Sequence, residues 1–496
     1  MSDLYIGSGN WILGRVNERY GLPFQPRPAQ LKRIGQLGPL DTAGYYCDPG
    51  TGKTLMSTVS ALHKIIETPD LAVLVIMPFP VLLPQWTEWL RNIKGVGKVV
   101  QFQGTPKERA AMRLGDAQFI VMSTPIFKKE RERILRELKG RPLLGIVDEA
   151  HCIKNIGSQT YKAVRDTFQE RLMLLTGTPL TTPGDAYAYC RLVSPPIYRS
   201  ERHFRNLHVG DEDFFGKVTS WVNLDMLREN FLNSSTRMLK EEALADLKQP
   251  VYKLLDYAMA PAHAELYERL VEEQLLLLED GSKIDATSAS RLYNAAQQII
   301  ANWDHFSGNP NNRAAVFDVV ESVLDEVGCV RNDKVNWSDR AQLAGMGEIV
   351  RAPKIIIFAQ YRMTNRKLVQ ELAPYGAVAC FSEVTPAQQA KNITRFMEDP
   401  TCQVLVANPG SAGYGWNPQK VCSDVLFVEA PTVPRDFHQG IGRVYRDGQE
   451  FTPVIRICRA AGTIQHRLHH NLLEKDALAN SVQTAYQDLK DALRGS

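Results

Sequence analysis

CDPGTGKT, residues 47–54, closes a short apolar stretch and leads into a helical one. In a loop of this kind, glycines let backbone N–H groups approach phosphate oxygens. Gly50, Thr51 and Gly52 form the cradle, Lys53 neutralises charge on the β and γ phosphates, and the Thr54 hydroxyl ligates Mg²⁺. Cys47 stands where the strict pattern has its first glycine, yet the GxGKT core is intact.

Downstream, LLGIVDEAH (143–151) places Asp148 and Glu149 at the end of an apolar run. A carboxylate pair at a strand's C-terminal edge suits phosphoryl chemistry. Asp148 can hold Mg²⁺, and Glu149 can orient and deprotonate the attacking water. Thr176-Gly177-Thr178-Pro179 again follows an apolar run and reads as a tight turn that senses the acidic box. In QGIGRVYR (439–446), Arg443 and Arg446 are three apart, a spacing that places both on one helical face to stabilise charge on a transferring phosphate. A solvated basic helix is the plainer alternative there.

Apolar runs recur at 71–77, 118–123, 143–148 and 171–177, and again at 354–360, 378–380, 403–408, 424–430 and 453–458. Uninterrupted runs of this length between helical segments indicate buried parallel strands, hence two α/β sheets. From about 185 to 345 strand signals are scarce, and 262–280 and 313–327 have helical periodicity. The basic stretch 127–141, with seven basic and three acidic residues, reads first as a solvated amphipathic helix and second as a flank for DNA. After Gly462 the chain reads as closing helices with an apolar stripe.

At 496 residues the chain exceeds one hydrophobic core. A net charge of +3 means that any nucleic-acid surface is a local patch. The start carries no secretory pattern, and the longest nearly apolar run, 71–83, is too short to span a bilayer. Eight cysteines without zinc-ribbon spacing suggest a reducing intracellular compartment. His466, His469 and His470 are a weak candidate for a metal cluster, with a solvated helix face preferred.

In this order, these elements resemble helicase superfamily 2, and within it the Swi/Snf-like double-stranded DNA translocases, from about residue 24 to 480. RPAQ (27–30) resembles the family's adenine-contacting entry, with Arg27 and Gln30 at the nucleotide. MPFPVLLPQWTEWL (77–90) resembles motif Ia with its Gln85-Trp86 pair, DEAHCIKN (148–155) the acidic box, and LTGTPL (175–180) motif III. KIIIFAQY (354–361), SAGYGWN (411–417) and HQGIGRVYRDGQ (438–449) resemble motifs IV, V and VI. Pro49, Trp416, Pro418 and Tyr445 depart from the family pattern without removing an atom that hydrolysis needs.

The resemblance implies two RecA-like lobes, parallel sheets flanked by helices, with helical protrusions and a C-terminal bracing helix. It implies lobe 1 over 1–243 and lobe 2 over 244–496. ATP and Mg²⁺ are the implied cofactors, with Gly413 and Gly415 of motif V near the nucleotide and Gln439 joining Arg443 and Arg446 in catalysis. Double-stranded or branched DNA is the implied track, contacted by Ser123, Thr124, Gln360 and Ser411. The expected activity is a DNA-dependent ATPase that remodels DNA structures or displaces bound protein. A strand-separating DNA or RNA helicase is one alternative, and an ATP-gated clamp is another. A bare, monomeric motor of this size fits a bacterial or phage-infected cytoplasm, with a protein partner left open for targeting.

Overall fold

The computed structural model describes residues 2–465, apart from 79, 195–196, 215, 217, 245, 274, 278–282, 286–288, 336–351, 410–415, 430 and 432–433. It divides into two compact units, one ending at residue 245 and the other beginning at 246.

The first unit is a seven-stranded sheet: β1 Thr42–Cys47, β2 Ala72–Met77, β3 Val99–Phe102, β4 Phe119–Ser123, β5 Leu143–Asp148, β6 Leu172–Leu175 and β7 Ser235–Met238. Every pairing is parallel, in the order β3-β4-β2-β5-β6-β1-β7. The central strands carry apolar side chains on both faces because helices cover both; all of β2 is buried. This arrangement makes β5, β6 and β1 neighbours. Leu175 pairs with Asp148 on one side and Tyr45 on the other. The three segments with chemical signatures therefore leave the sheet side by side at its C-terminal edge, where open α/β sheets place ligands.

Two helices precede the sheet, α1 (Ser2–Arg19) and α2 (Pro28–Leu37). They cross with their backbones in contact. A Cβ on Gly35 would collide with the Tyr5 carbonyl, and one on Gly9 with the Leu31 carbonyl. Since α2 carries Gln30 and Arg33, this crossing sets where both begin. Gly35→Ala should lower stability by about 1–3 kcal/mol through overpacking, even though alanine is the better helix former. Thermal unfolding checks this, and an unchanged or raised melting temperature would refute the close approach.

Between β6 and β7 lie helices Ala186–Val193, Glu201–His208 and Leu224–Leu232, the first unit's protrusion. The basic stretch becomes helix Thr124–Glu137, which buries Phe127 and Ile134. Several of its charges are engaged within the unit, Glu130 with Arg109 at 3.0 Å and Arg133 with Glu137 at 2.8 Å.

The second unit is a six-stranded parallel sheet: β8 Val251–Tyr257, β11 Ile355–Phe358, β12 Val378–Cys380, β13 Val404–Ala407, β14 Asp424–Phe427 and β15 Val454–Ala460, ordered β12-β13-β11-β14-β15-β8. β9 (Leu275–Leu277) and β10 (Lys283–Asp285) form a separate antiparallel hairpin. Between β8 and β11 lie helices Pro261–Glu273, Ala289–Ala301 and Val316–Val327. Each unit is thus a parallel sheet flanked by helices, the RecA-like α/β architecture.

Several strand assignments differ from the sequence reading, among them β3, which none of the apolar runs covers, and β10 (Lys283–Asp285). β7 and β8 lie where strand signals looked scarce, and the helix expected over 262–280 stops at Glu273, before the short strand Leu275–Leu277. β8 is an edge strand whose Val251, Tyr252 and Leu254 are exposed, so it has neither the alternation nor the buried run that marks a strand. The closing helices and the histidines at 466, 469 and 470 lie outside the described residues.

Seven of the eight cysteines are buried and Cys152 is half-buried; none is bonded to another. Burial pushes the Cys47 thiol up to about 11 and that of Cys458 to about 12. Among the described residues no helix is long and apolar enough to cross a membrane.

Candidate active site

β1 ends at Cys47, and the chain turns through Asp48 to Gly52 before α3 (Lys53–Glu67) begins. Gly50 and Gly52 have φ of 86° and 91°, a left-handed backbone that a side chain resists. Gly52 is constrained a second time, since a Cβ there would strike the Gln30 side-chain amide. Cys47 is fully buried as the last residue of β1, which is why the loop accommodates it at the place of a glycine. Lys53 Nζ donates to the carbonyls of Cys47 (2.8 Å) and Asp48 (3.2 Å), so the ammonium lies across the root of the loop. Thr51 is buried with its hydroxyl donated to Asp48 O, and Thr54, half-buried, sits in the first turn of α3.

Gln30 leans on this loop. Its Oε1 accepts from Arg27 N (2.8 Å) and its Nε2 donates to Thr51 O (2.9 Å). Arg27 Nη1 lies 3.5 Å from Ala243 O. Both residues of the entry motif are therefore anchored beside the phosphate loop.

At the end of β5, Asp148 Oδ1 accepts from Glu149 N (2.9 Å) and Oδ2 from the Trp86 indole N–H (2.7 Å). Burial first, and the neighbouring Glu149 second, push the Asp148 carboxyl above the usual carboxylate range. Glu149 has φ of 51°, unusual for a residue with a side chain. His151 Nδ1 stands 3.1 Å from Glu149 Oε2. A buried Asp148 carboxylate at the sheet edge, and a Thr54 hydroxyl in the first turn of α3, are oxygen donors of the kind a hard divalent cation takes; Mg²⁺ held by them would offset the charge of Asp148 and of the phosphates.

The Thr176–Pro179 turn touches the phosphate loop directly. A Cβ on Gly177 would come within 2.8 Å of Pro49 Cδ, so proline in the loop and glycine in the turn fit each other. Arg237, on β7, fastens the same parts. Its guanidinium donates to Tyr46 O and Gly177 O, each at 3.0 Å, and pairs with Asp48 at 2.7 Å. Lys240 N adds a bond to Asp48 Oδ2 (3.2 Å). Arg33 of α2 donates to Arg237 O and pairs with Glu242 at 2.6 Å. Past the acidic box, Lys154 reaches Thr181 and Asp185, which follow the turn. Sequence reading missed Arg237; its only sign is an arginine in a short strand among buried neighbours.

In the second unit, helix Pro434–Ile441 carries Gln439, buried with Oε1 unpaired. The expectation that Arg443 and Arg446 share one helical face is corrected: the helix ends at Ile441 and both lie in the turns that follow. Gly440 and Gly442 weaken the helix, and Arg443 N and Val444 N tighten to carbonyls three residues back. Arg443 is 7% exposed with Nη1 3.4 Å from Trp416 O, whereas Arg446 is partly exposed.

The nucleic-acid candidates fare differently. Ser123, which ends β4, and Thr124, which opens the following helix, are 2% and 6% exposed. Gln360 N donates to Glu429 Oε2 (2.8 Å), Gln360 O accepts from Asn408, and its Oε1 is buried. Burial raises the Glu429 carboxyl to about 7, although it also accepts from Tyr361 N and Thr364. Ser411, Gly413 and Gly415 lie outside the described residues.

Residues 44–306 match the SNF2-related domain, and residues 340–448 the helicase conserved C-terminal domain. TATA-binding protein-associated factor MOT1 of Saccharomyces cerevisiae is 23% identical over 86% of this chain and 25% of its own length, so the chain spans a quarter of that relative. The protein named uncharacterized ATP-dependent helicase YqhH, of Bacillus subtilis, is 22% identical over 89% of this chain and 76% of its own. The SWI2/SNF2 ATPase core of Sulfolobus solfataricus in complex with dsDNA aligns with 95% of this chain and 97% of that one, at 19% identity and a TM-score of 0.42.

Proposed function

Because the chain belongs to the SNF2-related family and is an ATPase of helicase superfamily 2, we propose that it uses ATP to translocate on double-stranded DNA and remodel what it meets there. The observation that carries the chemical part is the adjacency of β5, β6 and β1, which brings Asp148, Glu149, the Gly177 turn and the Lys53 loop to one edge of a sheet. Lys53 takes phosphate charge, Thr54 and Asp148 take Mg²⁺, and Glu149 takes a proton from the attacking water. Gln30 and Arg27 serve the nucleotide base, as do Gly413 and Gly415 the nucleotide more generally. Arg443 and Arg446, with Gln439, are assigned to charge that develops on the transferring phosphate.

The track is supported by the family and by the motif order, which follows the Swi/Snf branch through Gln85-Trp86 and Lys154-Asn155. Contacts to DNA backbone carry affinity and little sequence information, so a motor needs no base readout. Fork or branch remodelling and displacement of bound protein are the tasks proposed, in a bacterial or phage-infected cytoplasm.

Steady-state hydrolysis measured at one salt concentration with no nucleic acid, single strands, duplex, a branched junction and RNA tests the reading. Duplex or junction DNA should stimulate at least about tenfold, the range expected when binding energy completes a catalytic site. Stimulation chiefly by RNA or single strands would replace this proposal with strand separation.

A further inference from the structure

After β2 the chain forms α4 (Leu83–Arg91), with Pro84 in its first turn and Thr87 Oγ1 bonded to Leu83 O at 2.7 Å. Leu83, Trp86, Thr87 and Leu90 are buried at helical spacing, while Pro84, Gln85 and Glu88 are exposed. The buried face carries indoles into two separate parts of the ATP machinery. Trp86 N–H reaches Asp148 Oδ2 at 2.7 Å, and Trp89 N–H reaches Thr58 Oγ1 on α3 at 3.0 Å. Phe24, shortly before the Arg27–Gln30 entry, stacks on Trp89 with ring centroids 6.0 Å apart.

We propose that Trp86 is a positioning residue for the metal carboxylate: its indole N–H fixes one oxygen of Asp148, so that the other presents in a set direction to Mg²⁺ and its water. The reasoning is stereochemical. A carboxylate at a strand end rotates about its terminal torsion, which is broad. Here Oδ1 is held by the Glu149 backbone and Oδ2 by a 3% exposed tryptophan 62 residues away in sequence, so the plane of the group has no free rotation. Donors of this kind orient metal ligands and commonly matter by 10–100-fold in metal affinity. A tryptophan chosen for packing alone would not need its N–H at a carboxylate.

The inference rests on Asp148 as the metal ligand, so the experiment separates the two. The full chain is titrated with MgCl₂, reading by calorimetry the magnesium-dependent gain in affinity for the β,γ-imido analogue of ATP. Four proteins are compared: the parent, Trp86→Phe, the chain with 3-benzothienylalanine at 86 (sulfur in place of N–H at nearly the same shape), and Asp148→Asn. The half-saturating Mg²⁺ concentration should rise about 10–100-fold in both position-86 variants, while analogue affinity without Mg²⁺ stays within about twofold. Asp148→Asn should show the same loss, and adding Trp86→Phe to it should do nothing more. Normal Mg²⁺ dependence with benzothienylalanine would overturn the role of Trp86. Normal dependence in Asp148→Asn would instead remove Asp148 from the metal.

Discussion

Glu149→Gln is expected to lower ATP turnover by roughly 10²–10⁴-fold while ATP still binds, the range for losing a positioned general base. The substitution is informative because of the backbone at this residue. Glu149 sits at φ of 51° with its N–H bonded to Asp148 and its carbonyl accepting from Cys152 N at 3.2 Å. Gln has the same shape and faces the same backbone strain, so the folded corner survives and the missing function is proton abstraction. Alanine there would confound the two. Single-turnover hydrolysis and equilibrium binding on the same preparation provide the measurement. Turnover within about threefold of the parent would remove Glu149 from the chemical step, since a base contributes far more than that. Loss of binding with unchanged chemistry in the bound fraction would make it a nucleotide ligand.

Lys53→Ala should reduce turnover by about 10²–10³-fold and, unlike Glu149→Gln, weaken binding of the triphosphate as well. In the structure the ammonium is held by Cys47 O and Asp48 O at the base of the loop that Gly50 and Gly52 shape with positive φ. Because the charge is meant for the outer phosphates, affinity for AMP should change little while affinity for ATP falls. Calorimetry with both nucleotides decides. Equal losses for AMP and ATP would mean that the lysine supports the loop rather than the phosphates, and the loop would then be expected to unfold locally.

How much of this was legible in sequence depended on distance along the chain. CDPGTGKT and DEAH could be read because each packs its chemistry into a few residues at the end of an apolar run, and the structure places both at strand ends. The buried strands were legible for the same reason, since helices on both faces demand continuous apolar runs. β8 was not, because Val251, Tyr252 and Leu254 stand exposed at an edge. Arg443 and Arg446 misled in a different way. Their spacing implies a helical face only if the helix continues, and the glycines at 440 and 442 end it. Contacts such as Trp86 with Asp148 or Arg237 with Gly177 join residues 62 and 60 apart, and nothing local in either segment announces them.

The state of the cysteines has a practical outcome. Seven thiols are enclosed, and burial holds those of Cys47, Cys190, Cys380, Cys402 and Cys458 in the protonated, unreactive form at neutral pH. Half-buried Cys152, its thiol pushed up to about 12, is poorly nucleophilic too. A maleimide dye should therefore find a cysteine newly placed on an exposed surface position before any native one. One such site in each unit would make a donor–acceptor pair without first stripping the chain of its own thiols. Fluorescence energy transfer could then follow the separation of the two units through a cycle of nucleotide binding, hydrolysis and release.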